Sequence, residues 1–338
     1  MPELSTIWFL LVGVLLTGYA ILDGFDLGAG ILHPIVARTD DERRTVFGAI
    51  GPVWDGNEVW LLTAGGALFA AFPSVYATVF SGFYLAMMLV LVALIFRAVA
   101  IEFRSKEEGR RWRSLWDGVF ALASFLAALL FGVAIGNVLR GIPLDPAGDY
   151  TGGLIGLLNP FSLLVGLLAV AMFVVQGATW LVVKTEGHLR DRSRLMAGWA
   201  WVALVGLWLA ATTAAFIDAP HLQSNFDVLV AWLAPLAFVV LTLGYRWQLG
   251  RGHDLAAFGL SSASIGALMA IVGVSLYPDL VPALGDPAAS LTVTNASSSE
   301  LTLGVMLVIA LVGMPIVLVY SAWVYSRFRG KVRLDDHY

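Results

Sequence analysis

Apolar residues run along the chain in nine long stretches separated by short polar segments, at about Ile7–Val36, Val46–Phe72, Val75–Val99, Leu115–Leu139, Asn159–Val183, Leu195–Ile217, Val228–Tyr245, Leu255–Leu276 and Leu301–Tyr325. A lipid core about 30 Å thick takes about 20 apolar residues in helical form. Lipid offers no partner to exposed N–H and C=O groups, so a chain crosses it as helices or as a closed barrel. Stretches of this length predict an all-α integral membrane protein with nine transmembrane helices, folded as a single polytopic domain over residues 1–338. The first two stretches are long for one crossing, so parts of them are expected to be broken or to lie outside the hydrocarbon.

The basic residues test this map, because Lys and Arg favour cytoplasmic loops. Arg38, Arg43 and Arg44 follow the first stretch; Arg104, Lys106, Arg110, Arg111 and Arg113 follow the third. Lys184, Arg190, Arg192 and Arg194 follow the fifth, Arg246 and Arg251 the seventh, and Arg327, Arg329, Lys331 and Arg333 the ninth. Of the 20 basic residues, only Arg97, at the inner end of the third stretch, and Arg140, on the opposite face, stand outside this set. The alternation predicts an N-terminus outside and a C-terminus in the cytoplasm. Before the first apolar run there is Glu3 and no basic residue, which argues for a retained first helix and against a cleaved leader. The longest outer loops, about Arg140–Leu158 and Tyr277–Glu300, are rich in Gly, Pro, Ser, Thr and Asp and too short to build a soluble core.

Composition agrees: 59% of residues are hydrophobic and 13% charged, against about 25% charged in soluble domains. The chain has no cysteine, which excludes disulfides, thiolate metal sites and cysteine nucleophiles. Phosphate-binding, dinucleotide and zinc patterns are absent, and topology accounts for the basic residues, so nucleic acid is not indicated. Of His33, His188, His221, His253 and His337, only His33 falls near the interior of a span, so a pair of axial haem ligands is not expected. Gly24 with Gly28, and Gly132 with Gly136, have the small-xxx-small spacing that lets membrane helices approach closely.

The acids carry the chemistry. Asp23 and Asp26 sit in LDGFDLGAG; Asp55, Asn57 and Glu58 sit in WDGNEVW between Trp54 and Trp60. Each carboxylate pair is spaced i, i+3, so each shares one helix face. An ionised side chain at mid-bilayer costs about 2.5–3.5 kcal/mol. These acids are therefore shallow helix caps, with Asp55 a candidate N-cap, or they form a buried polar site whose members hold and pass protons. Arg97 is either a snorkelling residue at the cytoplasmic interface or the partner of a carboxylate on a neighbouring helix. Two functional classes fit: a subunit of a redox membrane complex with a proton path, or a secondary transporter with an intramembrane acidic site near Asp23, Asp26, Asp55 and Glu58.

Six segments decide between them by resemblance. GYAILDGFDLGAGIL, GPVWDGNEVWLLTAGGALFAAFPSVYATVFSGFY, FRAVAIEFRSK, LLNPFSLLVG, VVQGATWL and NASSSELTLGVMLVIALVGMPIVLVYSAW resemble subunit II of cytochrome bd-type quinol oxidases, from the first stretch to the last. The resemblance implies a complex in the bacterial inner membrane that oxidises quinol and reduces O2 to water. Its chemical protons come from the cytoplasm, so it builds a gradient without pumping. Haem b and haem d would be held by a partner, subunit I, with this chain supporting assembly and a proton route. In that route the resemblance implicates Asp55 and places Glu102 near the cytoplasmic entrance, with Tyr338 beside it. Trp60 matches a tryptophan associated with an O2 tunnel. A structural quinone and a small accessory subunit occur in some members. The link Asp218–Asp227 is shorter than in the longer members, so outer-face contacts known there do not transfer.

Overall fold

A computed structural model describes residues 3–332. Among these, twelve α-helices follow one another: α1 (Leu4–Val36), α2 (Asp40–Ile50), α3 (Trp54–Ala71), α4 (Pro73–Gly82), α5 (Tyr84–Phe103), α6 (Arg110–Arg140), α7 (Leu154–Leu157), α8 (Pro160–Lys184), α9 (Gly187–Asp218), α10 (Leu233–Arg251), α11 (Asp254–Leu276) and α12 (Glu300–Arg327). The only sheet among the described residues pairs β1 (Asp279–Val281) with β2 (Leu291–Thr292), antiparallel.

Eight of the apolar stretches become helices long and apolar enough to cross a membrane. The second does not reach that standard, because it is broken. Pro52, which lacks an N–H, stands in the turn between α2 and α3, and α3 keeps only 18 residues, opening on Asp55, Asn57 and Glu58. The segment α2 is a polar helix of its own. Its N-cap Thr39 and Glu42 form a reciprocal capping box, which satisfies two otherwise free N–H donors. The third stretch also divides: Pro73 starts α4 at its first position, and the helix resets at Phe83 before α5. The first stretch stays whole for 33 residues, about 50 Å at 1.5 Å per residue.

The bundle is organised around α8, which is buried along most of its length. It meets α1 backbone to backbone: a Cβ on Gly28 would stand 1.8 Å from the Phe173 carbonyl oxygen, and one on Gly177 would stand 2.4 Å from the Ala29 nitrogen. On its other side, a Cβ on Gly132 of α6 would lie 2.7 Å from the Gly166 Cα. Both small-residue spacings therefore mark real crossings, where dispersion contact replaces a hydrophobic drive that lipid does not supply. The last helix is the opposite case. Leu303 is the only buried residue of α12, tied by the Trp8 indole N–H to its carbonyl at 3.0 Å. At the same end of the molecule the loops 141–153 and 277–299 lock together, with Ile142 N–H to Pro282 O at 3.0 Å and Leu284 N–H to Ile142 O at 2.8 Å.

Candidate functional site

Asp23 and Asp26 lie in mid-helix on α1 with 0% and 1% of their surface exposed, so they are not shallow caps. Arg97 of α5 is also wholly buried. Its Nη1 donates to Asp23 Oδ1 at 2.7 Å and its Nη2 to Glu58 Oε2 on α3 at 3.2 Å. The snorkelling alternative is thereby corrected: the guanidinium turns inward, because buried carboxylates on two neighbouring helices attract it more than the interface does.

Asn57, also buried, completes the cluster. Its Nδ2 donates to Asp26 Oδ2 at 2.8 Å, and its Oδ1 accepts from the Tyr325 hydroxyl of α12 at 2.7 Å. The site thus draws on α1, α3, α5 and α12. Its charges do not balance among the described residues. Asp23, Asp26 and Glu58 face one guanidinium, and the Asp23 Oδ2, the Asp26 Oδ1 and the Tyr19 hydroxyl find no hydrogen-bond partner among the described residues. A buried cluster with more acids than bases lowers its energy by taking up protons or water.

The other predicted residues fall outside this cluster. Asp55 is exposed in the isolated chain. The N-cap of α3 is Val53, without a side-chain cap, and Asp55 sits inside the first turn, so the capping expectation does not hold. Asp55 heads an open stripe with Val59 and Leu62, exposed by 49% and 70%. Trp60 lies flat on α1, where a Cβ on Gly18 would come within 2.2 Å of its ring. Glu102 is exposed at the end of α5. Tyr338 lies outside the described residues.

A second polar cluster, absent from the sequence-based expectations, closes the bundle where α1, α2, α5 and α6 converge. Asp117 lies 2.7 Å from the His33 Nε2 and accepts from Arg104 Nε at 2.5 Å and from Arg43 Nη1 at 2.7 Å. Arg104 reaches on to Asp40 at 2.7 Å, which Arg113 also contacts at 2.8 Å. Nearby, Arg192 donates to Glu42. Burial alone would push the Glu42 carboxyl up, but the Arg192 guanidinium and the N–H groups of Arg38 and Thr39 prevail and hold it below the usual carboxylate range. The sequence signal for this cluster was the run of basic residues, which topology alone had explained.

With this geometry in view, the relatives of the chain are informative. Residues 4–328 match the family described as cytochrome bd terminal oxidase subunit II. The chain belongs to that family. It is 41% identical, over an alignment 364 positions long, to the cytochrome bd-I ubiquinol oxidase subunit 2 of Escherichia coli (strain K12), with 98% of this chain and 96% of the relative covered. Identity to the cytochrome bd ubiquinol oxidase subunit 2 of Bacillus subtilis (strain 168) is 34%, with 98% of each covered. The fold is similar to a solved structure of the bd oxidase from Geobacillus thermodenitrificans, with a TM-score of 0.81, 18% identity and 99% of both chains covered. Membership of a bd oxidase subunit family replaces the transporter reading, and the multi-pass membrane architecture agrees with it.

Proposed function

We propose that this chain is the second subunit of a quinol:O2 oxidoreductase in the bacterial inner membrane, assembled with a haem-bearing subunit I, and that its buried acids feed protons to O2 reduction. The observation that carries the reading is the unbalanced cluster of Asp23, Asp26 and Glu58 around Arg97. Glu58 keeps 23% of its side chain open, one helical turn from Asp55. A proton entering at the Asp55 stripe would pass Glu58 and reach Asp23 and Asp26, each of which keeps one oxygen without a hydrogen-bond partner among the described residues. Glu102, at the arginine-rich end of α5, is the proposed cytoplasmic entrance. The route consumes cytoplasmic protons in the chemistry itself and so builds a gradient without a pump.

Several features support assembly with a partner. An ionised Asp55 on an otherwise apolar open stripe is costly against lipid, whereas a partner helix laid on α3 shelters it. The nearly unburied α12 beside it extends the same surface. In this reading α3 is the ninth span, shortened in apolar length because its first turns face protein, and the arginine-rich ends lie in the cytoplasm, with the N-terminus outside.

Haem b and haem d are assigned to the partner. Among the described residues His33 is the one buried histidine, so no pair of buried histidines is at hand to hold a haem between them. A structural quinone does fit. A cavity of about 540 Å³ between α6, α8, α9, α10 and α11 is lined by Phe161, Met172, Trp208, Phe226, Trp232 and Met269, apolar surface suited to an isoprenoid tail. Trp60, packed against α1 at Gly18, is the residue assigned to an O2 path, and a small accessory subunit would find further apolar helix surface.

The test is Asp55→Asn in the purified complex. Quinol-driven O2 consumption falls while haem content stays whole. Normal turnover in a haem-replete variant contradicts the path, and loss of haem d assigns Asp55 to assembly.

A further inference from the structure

We infer that Tyr325 is a positioning residue that sets the proton affinity of Asp26 through the side-chain amide of Asn57. The inference rests on the proposed proton path for its functional consequence, and on geometry for the rest.

Near its C-terminal end, α12 reaches into the bundle with Tyr325, whose ring meets Trp180 edge-on at 6.2 Å and 77°. The hydroxyl does not stop at packing. It donates to Asn57 Oδ1 at 2.7 Å, and the amide hands the polarity on from Nδ2 to Asp26 Oδ2 at 2.8 Å, with a longer contact to Leu22 O at 3.4 Å. The two acceptors around Nδ2 fix the amide's orientation. Turned over, it would present its oxygen to a carboxylate and a carbonyl. A hydrogen bond received at Oδ1 polarises the amide and strengthens donation from Nδ2, and donation to a carboxylate favours its ionised form. An uncharged hydroxyl at the end of the chain thus acts on an acid on the first helix.

The other groups around Asp26 are accounted for. The charged groups beside it are Asp23 and Glu58, of like sign, and Arg97, of opposite sign. From α1 itself comes the neutral hydroxyl of Tyr19. On the α8 and α11 side stand the neutral Gln176, Ser261 and Ser262, which bond among themselves and to Ile21 O. From α6, Phe131 packs on Tyr19. Among the described residues only Asn57 donates a hydrogen bond to Asp26, so its strength is the adjustable element.

The experiment uses the whole complex. Infrared titration follows the carboxyl band that disappears in Asp26→Asn, and the pH profile of quinol-driven O2 consumption is recorded in parallel. In Tyr325→Phe, which keeps the ring, the Asp26 band titrates about 0.1–0.3 pH unit higher, the ~10–30% by which one hydrogen bond strengthens the next, and the activity profile moves the same way. Asn57→Ala gives a shift of the same sign, and adding Tyr325→Phe to it adds nothing. An unmoved Asp26 titration in Tyr325→Phe overturns the inference, as does a Tyr325→Phe shift that persists in the Asn57→Ala background. If Tyr325→Phe fails to assemble, Asn57→Ala reads the same bond from its other end, and an unmoved titration there overturns it equally. A shifted band with an unmoved activity profile supports the Tyr325 role and counts against the proton path instead.

Discussion

Arg97 and Asp23 pair at 2.7 Å with both side chains wholly out of solvent, and the same guanidinium holds Glu58 at 3.2 Å. One cation thereby joins α5 to α1 and α3. Breaking a buried pair by removing one partner typically costs about 3–5 kcal/mol, whereas replacing both with apolar residues is often neutral. Arg97→Met is therefore expected to lower the melting temperature of the assembled complex sharply, and adding Asp23→Leu to it to recover most of the loss. Thermal unfolding of the two variants in detergent checks this; a double variant as unstable as the single one contradicts it.

The crossing of α1 and α8 makes a second prediction. A Cβ on Gly28 would collide with backbone, the Phe173 carbonyl at 1.8 Å, and backbone cannot move aside as a flexible side chain can. Gly28→Ala is expected to abolish assembly. Gly198 of α9 has nothing within 4 Å of such a Cβ, so Gly198→Ala is expected to be neutral or stabilising by up to about 1 kcal/mol. Expression and haem content of the two complexes separate the cases.

The α2 cap supplies a dependence on pH. Glu42 is held below the usual carboxylate range, with the Arg192 contact outweighing burial. Its contribution is complete above the ordinary glutamate range, near pH 4.3, and is lost as pH falls through the lowered folded value. Hydrogen exchange over Asp40–Ile50 is expected to be protected at neutral pH and to accelerate on acidification below about pH 4. In Glu42→Gln the protection is weaker at neutral pH and the acid dependence flatter. Identical profiles in the two proteins would contradict the role given to this cap.

How much of this could be read from the sequence follows from what periodicity and charge encode. Apolar runs give spans, and eight of them stand as helices of spanning length. Length marked the second stretch as one that could break but not where, and it gave no sign of the break in the third; the helices part at Pro52, Pro73 and Phe83. The unusual acids were visible at once, because carboxylates among apolar residues need a physical reason. Their partners were not. Nothing in the spacing of Arg97 says which helix lies opposite, and Asn57 with Tyr325 pairs residues 268 positions apart. The i, i+3 rule placed Asp55 beside Glu58. Three residues advance about 300° around a helix, however, leaving about 60° between them, and the edge between the buried and open sides of α3 falls in that gap. The pairing of Asp117 with His33 and with Arg43 and Arg104 went unread because arginine-rich loops already had a topological explanation.

The most direct measurement is single-turnover proton uptake during the reaction of the fully reduced complex with O2, followed with a pH-sensitive dye, in the wild type and in Asp26→Asn. Haem content and the rate of O2 binding are expected to match, while the proton-uptake phase slows by about 10²-fold or more, the scale for removing a group that transfers a proton. Uptake at the wild-type rate in a haem-replete Asp26→Asn complex would contradict a proton route through the acids of this subunit.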